Sequence, residues 1–361
     1  MGKANVWLSI IIILLVVVGL GVVGYKSSQG GTPTTTSPTS QVSPATTTTS
    51  PGRAGKLHVT AATIKSGISS LDIVGADKGI QEAAGVNFTI LRLNTPPQVV
   101  DAILKGDAQI AIVPVELAAV IMEKGGNVYI IALDNQMNQA ILVRPGSGIH
   151  SPADLKGKKV AAVVGSGTYA IFKALMKEDY NLTVGPGPGY DVQVVNMPPP
   201  NVVDALARGD VDAAVIWEPL VSEAVIAKHL VILANFTELW ERYAGNSPAP
   251  MLVWVASKDV VDNKALLNAV LEAHRLATLK WNNEENWTVA FLSKFYNIDP
   301  GVARMVWARD HMYTGKCINQ SLAKAMYKIW DLAKEAGYIN KVPSMDRIIT
   351  CQSLGMEQGS G

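Results

Sequence analysis

The sequence predicts an α/β protein made of two similar lobes, and three observations carry that prediction. First, one stretch is written twice at an offset of 103 residues without a gap. The first copy runs from Pro97-Gln98-Val99-Val100-Asp101-Ala102 through Gly106-Asp107 to Val113, and the second from Pro200-Asn201-Val202-Val203-Asp204-Ala205 through Gly209-Asp210 to Ile216. Each copy reads as an amphipathic helix, a Gly-Asp turn and a short apolar strand. Second, strand-like runs alternate with helical periodicity in β-α-β order, which means a mainly parallel sheet with helices on both faces. Third, a period this long used only twice is not a stacked-repeat array. Helix-turn-strand units that converged independently are the alternative; the shared Val-Val-Asp-Ala and Gly-Asp at equal spacing favour two lobes.

The chain of 361 residues, 48% hydrophobic and 17% charged, is long enough to bury two good cores. A formal net charge of +1 removes nucleic acid as a default partner. Cys317 and Cys351 have no CxxC spacing and no paired histidines, so no metal site is expected.

In chain order, Val6 to Val23 is almost wholly apolar, just long enough to span a bilayer, with Lys3 before it and Lys26 after it. Residues 1–26 are expected to be a retained signal anchor with everything after it outside the cell membrane. A cleaved signal peptide and a pilin-type signal are the alternatives. Residues 27–55 are Thr, Ser, Pro and Gly with little to bury, and read as a stalk. Five Asn-X-Ser/Thr sequons, at Asn87, Asn181, Asn235, Asn286 and Asn319, support an external, glycosylated location.

Folded sequence starts at Lys56. Residues 56–148 are expected to be the first part of lobe 1. They hold strands at 57–61, 88–93, 109–113, 128–132 and 140–143, helices at 69–84 and 117–124, and the first copy's helix. Residues 149–245 are expected to be lobe 2, with a capped short helix at 151–157, strands at 159–164, 192–195 and 230–234, a helix at 169–176 and the second copy. Residues 246–361 complete lobe 1 with a strand at 251–257 and helices at 264–281, 284–296, 301–309 and 320–336, which lack strand partners and are expected to pack back on lobe 1.

In open α/β sheets ligands bind beyond the C-terminal ends of the strands, and a cleft between two such sheets is a default ligand site. Four segments fall there: Thr63 to Gly67 with Ser66, Pro114-Val115-Glu116, Gly165-Ser166-Gly167-Thr168, and Trp217-Glu218. The glycine loop opens a helix, so its free N–H groups, the positive helix end and the hydroxyls of Ser166 and Thr168 make an anion pocket; a plain strand-to-helix turn that needs glycine is the other reading. Ser66 to Ser70 is a similar hydroxyl-rich helix start. Trp217 is read as a wall of the ligand site rather than core. Glu116 and Glu218 are candidate acceptors for a ligand amine, or helix N-terminal carboxylates that complement the dipole. The five histidines stand near no nucleophile, and there is no nucleophile elbow, Walker loop or dinucleotide fingerprint, so neither an enzyme nor a cofactor is expected.

Ala76-Asp77-Lys78-Gly79-Ile80-Gln81-Glu82-Ala83-Ala84-Gly85, Leu155-Lys156-Gly157-Lys158-Lys159-Val160-Ala161 with Gly165 to Thr168, and Gly209 to Pro219 carry a family resemblance. From Leu57 to about Ile339 the chain resembles the solute-binding proteins of ABC importers in the nitrate, sulfonate and taurine family, the SsuA/THI5-like group. The resemblance implies a type II periplasmic-binding-protein fold, two lobes joined by a two-strand hinge with a cleft between them. It implies capture of a small organic anion, sulfonate-, taurine- or nitrate-like, and delivery to an ABC permease with its ATPase subunit, without catalysis; a monomer is expected. Anchor and Thr-rich stalk resemble archaeal members. The absence of an obvious pair of cleft arginines argues against a small multiply charged anion. A thiamine-pyrimidine precursor is the alternative ligand. A THI5-like enzyme is the alternative activity, although those enzymes carry a cysteine-rich motif and no cysteine precedes Cys317 here. Hinge closure on ligand is expected near Pro145 and Gly245. An external location is oxidising, so a Cys317–Cys351 disulfide is expected, with two unpaired thiols as the alternative.

Overall fold

The structure, a computed structural model, describes residues 56–356. The expected anchor (1–26) and stalk (27–55) lie outside the described residues. Among the described residues no helix is long and apolar enough to cross a membrane.

The first half of the chain runs β1 (Leu57–Ile64), α1 (Ser70–Ala76), α2 (Lys78–Ala84), β2 (Val86–Leu93), α3 (Pro96–Leu104), β3 (Ile110–Pro114), α4 (Val115–Glu123), β4 (Val128–Gln136) and β5 (Ala140–Val143). Then follow β6 (Lys159–Ala162), α5 (Gly167–Tyr180), β7 (Val184–Pro186), β8 (Val192–Asn196), α6 (Pro199–Arg208), β9 (Ala213–Ile216), α7 (Leu220–Lys228), β10 (Val231–Asn235) and α8 (Phe236–Ala244). The chain returns through β11 (Pro250–Ser257) to α9 (Lys258–Asp262), α10 (Lys264–Asn283), α11 (Glu285–Tyr296), α12 (Pro300–Arg309) and α13 (Gln320–Glu335). These strands form two mixed sheets, ordered β2-β1-β3-β11-β4 and β10-β5-β9-β6-β8-β7.

The doubled stretch occupies the same place in both sheets. β3 lies parallel to β1, pairing Ile110 with Ala61 and Ala111 with Ala62. β9 lies parallel to β6, pairing Ala213 with Val160 and Ala214 with Ala161. Beyond each comes an antiparallel strand, β11 in the first sheet and β5 in the second. Both helices open on prolines, whose fixed φ suits the first turn and whose missing N–H is no loss there. Gly106 (φ 77°) and Gly209 (φ 85°) turn the chain out of the two helices in the left-handed region, where a β-carbon would be strained. Arg144 then closes over the second turn, donating from Nη1 to the carbonyls of Leu206 (2.9 Å) and Val211 (2.6 Å).

Several local expectations need correction. The helix expected over 69–84 breaks at Asp77, whose carboxylate accepts from the N–H of Gly79 and starts α2. β5 was expected in the first lobe's run but pairs with β9 and β10, so the chain crosses between the sheets at 137–139, before the expected boundary at 148. All four β5 residues are buried, and a short apolar run does not declare which sheet it joins. Helices α7 and α8 were not anticipated. On α7, Val221 and Ala224 are buried while Ile226 is exposed, so its apolar residues trace no single stripe.

The C-terminal helices pack on elements of both sheets' layers. α10 packs on α1 and α2, and its Trp281 is fully buried and donates to the Asp310 carbonyl (2.8 Å). The expectation that these helices cover only the first lobe does not describe α13. This helix lies across α4 and α5, with Trp330 Nε1 donating to the Val115 carbonyl (2.8 Å), while α12 also meets α7. The tail runs beside β4, where Ile349 N–H donates to the Ile130 carbonyl (2.9 Å), and Cys317 and Cys351 are joined as a disulfide.

Candidate functional site

A cavity of about 40 Å3 lies between the two sheets, where the C-terminal ends of β1 and β3 face those of β6 and β9. Space of that size holds about three water molecules, so a larger ligand enters only if the sheets separate. The walls are chiefly apolar, including Ile68, Val99, Leu117, Met251 and Leu252. Among the described residues no lysine or arginine lines it.

The second sheet supplies the polar end. β6 stops at Ala162, and Gly165-Ser166 leads into α5. Ser166 caps that helix: its Oγ accepts from Tyr169 N–H (3.2 Å) and donates to the Val163 carbonyl (2.7 Å). This cap engages the Ser166 hydroxyl fully, but leaves the N–H groups of Gly167 and Thr168 in the unbonded first turn, at the positive end of a 14-residue helix. Thr168 adds a hydroxyl to the cavity wall, and Thr63 adds another from the end of β1.

Trp217 follows β9 and forms one wall. Its ring is buried, and its Nε1 donates across the cleft to the carbonyl of Ser66 (2.9 Å), tying the two sheets together. Trp217→Phe keeps the ring and removes that bond, and is expected to lower unfolding free energy by about 0.5–1.5 kcal/mol. Urea denaturation checks this; an unchanged midpoint would show that the bond does not hold the cleft.

Glu218 also lines the cavity, but both its oxygens are engaged: Oε1 with Arg309 Nε (2.6 Å) and Oε2 with Ser222 N–H (3.1 Å). Burial pushes its pKa up, and the Arg309 guanidinium pulls it back. Arg309 comes from α12, on the first sheet's side, and its Nη1 also donates to Asn235 Oδ1 at the end of β10 (3.0 Å). It therefore ties the end of β10 to Glu218, and Glu218 is a held carboxylate rather than an open acceptor.

Glu116 sits in the first turn of α4 and is buried. Its carboxyl lies against Gly167, where a β-carbon would clash with the end of the Glu116 side chain unless that side chain moved. Among the described residues no lysine or arginine forms an ion pair with it, and burial raises its pKa from 4.5 to about 7.

Of the residues singled out from sequence, Thr63, Pro114, Ser166, Thr168, Trp217 and Glu218 line the cavity. Ser66, Glu116, Gly165 and Gly167 stand behind it: Ser66 offers its carbonyl to Trp217, and the carbonyl of Gly165 accepts from the Tyr338 hydroxyl (3.3 Å). The hydroxyl-rich start of α1 is spent inside the fold. Ser69 Oγ bonds Asp72 (3.2 Å), and Ser70 Oγ bonds Asp134 beneath Trp254. Sequence reasoning missed Asn138, in the crossing segment, and Arg309. It also passed over the apolar walls, which no pattern separates from ordinary core.

Two facing α/β sheets with a cavity at their strand ends define a periplasmic-binding-protein architecture. The chain belongs to the NMT1/THI5 like family, which matches residues 70–281. It is 25% identical over 209 residues to the taurine-binding periplasmic protein of Escherichia coli (strain K12), a match spanning 56% of this chain and 61% of that protein, less than two thirds of its length. The fold is similar to that of the periplasmic aliphatic sulphonate binding protein SsuA from Escherichia coli, with a TM-score of 0.65 and 18% identity over 80% of this chain and 91% of that one. It is also similar to the desulfurization enzyme DSZB, with a TM-score of 0.59 and 16% identity over 83% of this chain and 99% of the other. The scaffold alone therefore does not separate binding from catalysis.

Proposed function

We propose that this chain is an extracytoplasmic solute-binding protein that captures a small organic anion with an apolar body and delivers it to an ABC importer. The observation that carries the reading is the cavity between the sheets, with apolar walls and the unbonded first turn of α5 at its polar end. An anionic head such as a sulfonate suits that helix end and the hydroxyls of Thr63 and Thr168, and neutral donors suffice for a single charge. The apolar walls suit an alkyl or similar body. Walls without lysine or arginine argue against a small multiply charged anion. The taurine and sulphonate named for the two binding proteins above fit the same class. In this reading residues 1–26 anchor the chain in the membrane and 27–55 hold the folded part outside it, 56–136 and 246–361 make one lobe and 140–245 the other, and the protein works as a monomer.

Thermal unfolding with a panel of probes tests the proposal. Butane-1-sulfonate is expected to raise the melting temperature, since a ligand that binds only the native state stabilises it by mass action. Nitrate and sulfate are expected to leave it unchanged. A shift with nitrate or sulfate alone would overturn the assignment of the ligand class.

A further inference from the structure

We infer that Glu116 sets the charge that the site accepts: its carboxyl competes with the ligand's anionic group for the positive end of α5, so an organic anion is captured together with a proton. The inference rests on the proposed reading of the cleft as an organic-anion site.

The geometry comes first. Glu116 is 3% exposed and sits in the first turn of α4, between two residues that line the cavity, Pro114 at the end of β3 and Leu117 of α4. Its carboxyl reaches Gly167, the first residue of α5, close enough to clash with a β-carbon there. Gly167 in turn lies between Ser166 and Thr168, both on the cavity wall. One helix end is thus shared by an internal carboxyl on one side and the ligand space on the other. Two negative charges at one helix terminus repel each other strongly in a buried setting, where solvent screens them little.

Among the described residues no charged group neutralises the carboxyl, and its own backbone N–H, in the first turn of α4, favours its ionised form. From α5 it meets Gly167. From beyond α13 the Tyr338 hydroxyl donates to the Gly165 carbonyl (3.3 Å), and its pKa is pushed upward by burial and by the charge of Glu116. α3, α13, β3, β4 and β11, which also pack on α4, bring it no charged group that shifts its pKa. Burial outweighs that N–H and pushes the pKa of Glu116 up to about 7. An empty site therefore carries the charge above neutrality and sheds it below. The proton taken up on binding comes from solvent and stays on Glu116; no covalent bond forms or breaks at the ligand.

The test is calorimetric titration of the full chain with butane-1-sulfonate from pH 6 to pH 8, in buffers of different ionisation enthalpy, on the wild type and on Glu116→Gln. With a carboxyl that titrates near 7 and must be neutral in the complex, wild-type affinity is expected to be about tenfold weaker at pH 8 than at pH 6, with about 0.9 proton taken up per ligand at pH 8. Glu116→Gln is expected to bind with the same affinity at both pH values and to take up no proton. The wild-type proton count stands by itself if the variant folds poorly. Binding by the wild type without proton uptake at pH 8, or the same pH profile in both proteins, would overturn the role of Glu116 while leaving the anion site intact. Absence of binding to either protein at any pH would overturn the anion site, and this inference with it.

Discussion

Replacing Cys317 and Cys351 by serine is expected to lower the unfolding free energy by about 4 kcal/mol. The two residues are 34 apart in sequence, and the chain-entropy model gives about that much for closing a loop of this size. The bond ties the tail to the segment that leads into α13, while Ile349 and Cys351 N–H groups bond the carbonyls of Ile130 and Ile318, both at 2.9 Å. Those two bonds remain in the variant, so the tail keeps its docking site and loses only its covalent tether. Cys351 is buried, so serine there adds a polar group that must find a partner. Urea denaturation of the wild type with and without reductant, beside the double variant, separates the two contributions. Equal midpoints in all three samples would show that the bridge does not stabilise the folded state.

Glu116→Gln is expected to remove a pH-dependent penalty of about 3 kcal/mol from the fold. Burial raises the pKa of this carboxyl from 4.5 to about 7. Below pH 4.5 the group is protonated both in the folded and in the unfolded chain and contributes no pH dependence. Between 4.5 and 7 the unfolded chain loses the proton while the folded one keeps it, so stability falls as pH rises through that window. Above 7 the penalty is complete, and a shift of this size corresponds to about 3 kcal/mol. Glutamine keeps the shape and does not ionise. The variant's stability relative to wild type is therefore expected to rise by about that amount between pH 4 and pH 8, as urea denaturation at the two pH values would show. A stability difference that does not change with pH would mean that Glu116 titrates normally, and would remove the electrostatic basis for coupled proton uptake.

The two-sheet plan was legible because the doubled stretch encodes a whole unit. Prolines start α3 and α6, Gly106 and Gly209 end their turns, and the apolar runs after them become β3 and β9 in matching registers. Strand-end logic then led to Thr63, Thr168 and Trp217. What it could not supply was orientation. Glu116 follows Pro114 in the expected way, yet its place in the first turn of α4 aims it at Gly167 rather than into the cavity. Glu218 faces the cavity, but its partner Arg309 lies 91 residues away on a helix with no sequence link to β9. β5 was assigned to the wrong side because four consecutive apolar residues carry no record of their pairing partners.

The central claim is that the space between the sheets is the ligand site, and a crystal structure of the protein with butane-1-sulfonate tests it most directly. The account predicts the sulfonate at the first turn of α5, with oxygens about 3 Å from the N–H groups of Gly167 and Thr168, and the alkyl chain among Ile68, Leu117 and Leu252. A sulfonate bound outside the cleft, with the first turn of α5 left to Glu116 and solvent, would contradict it.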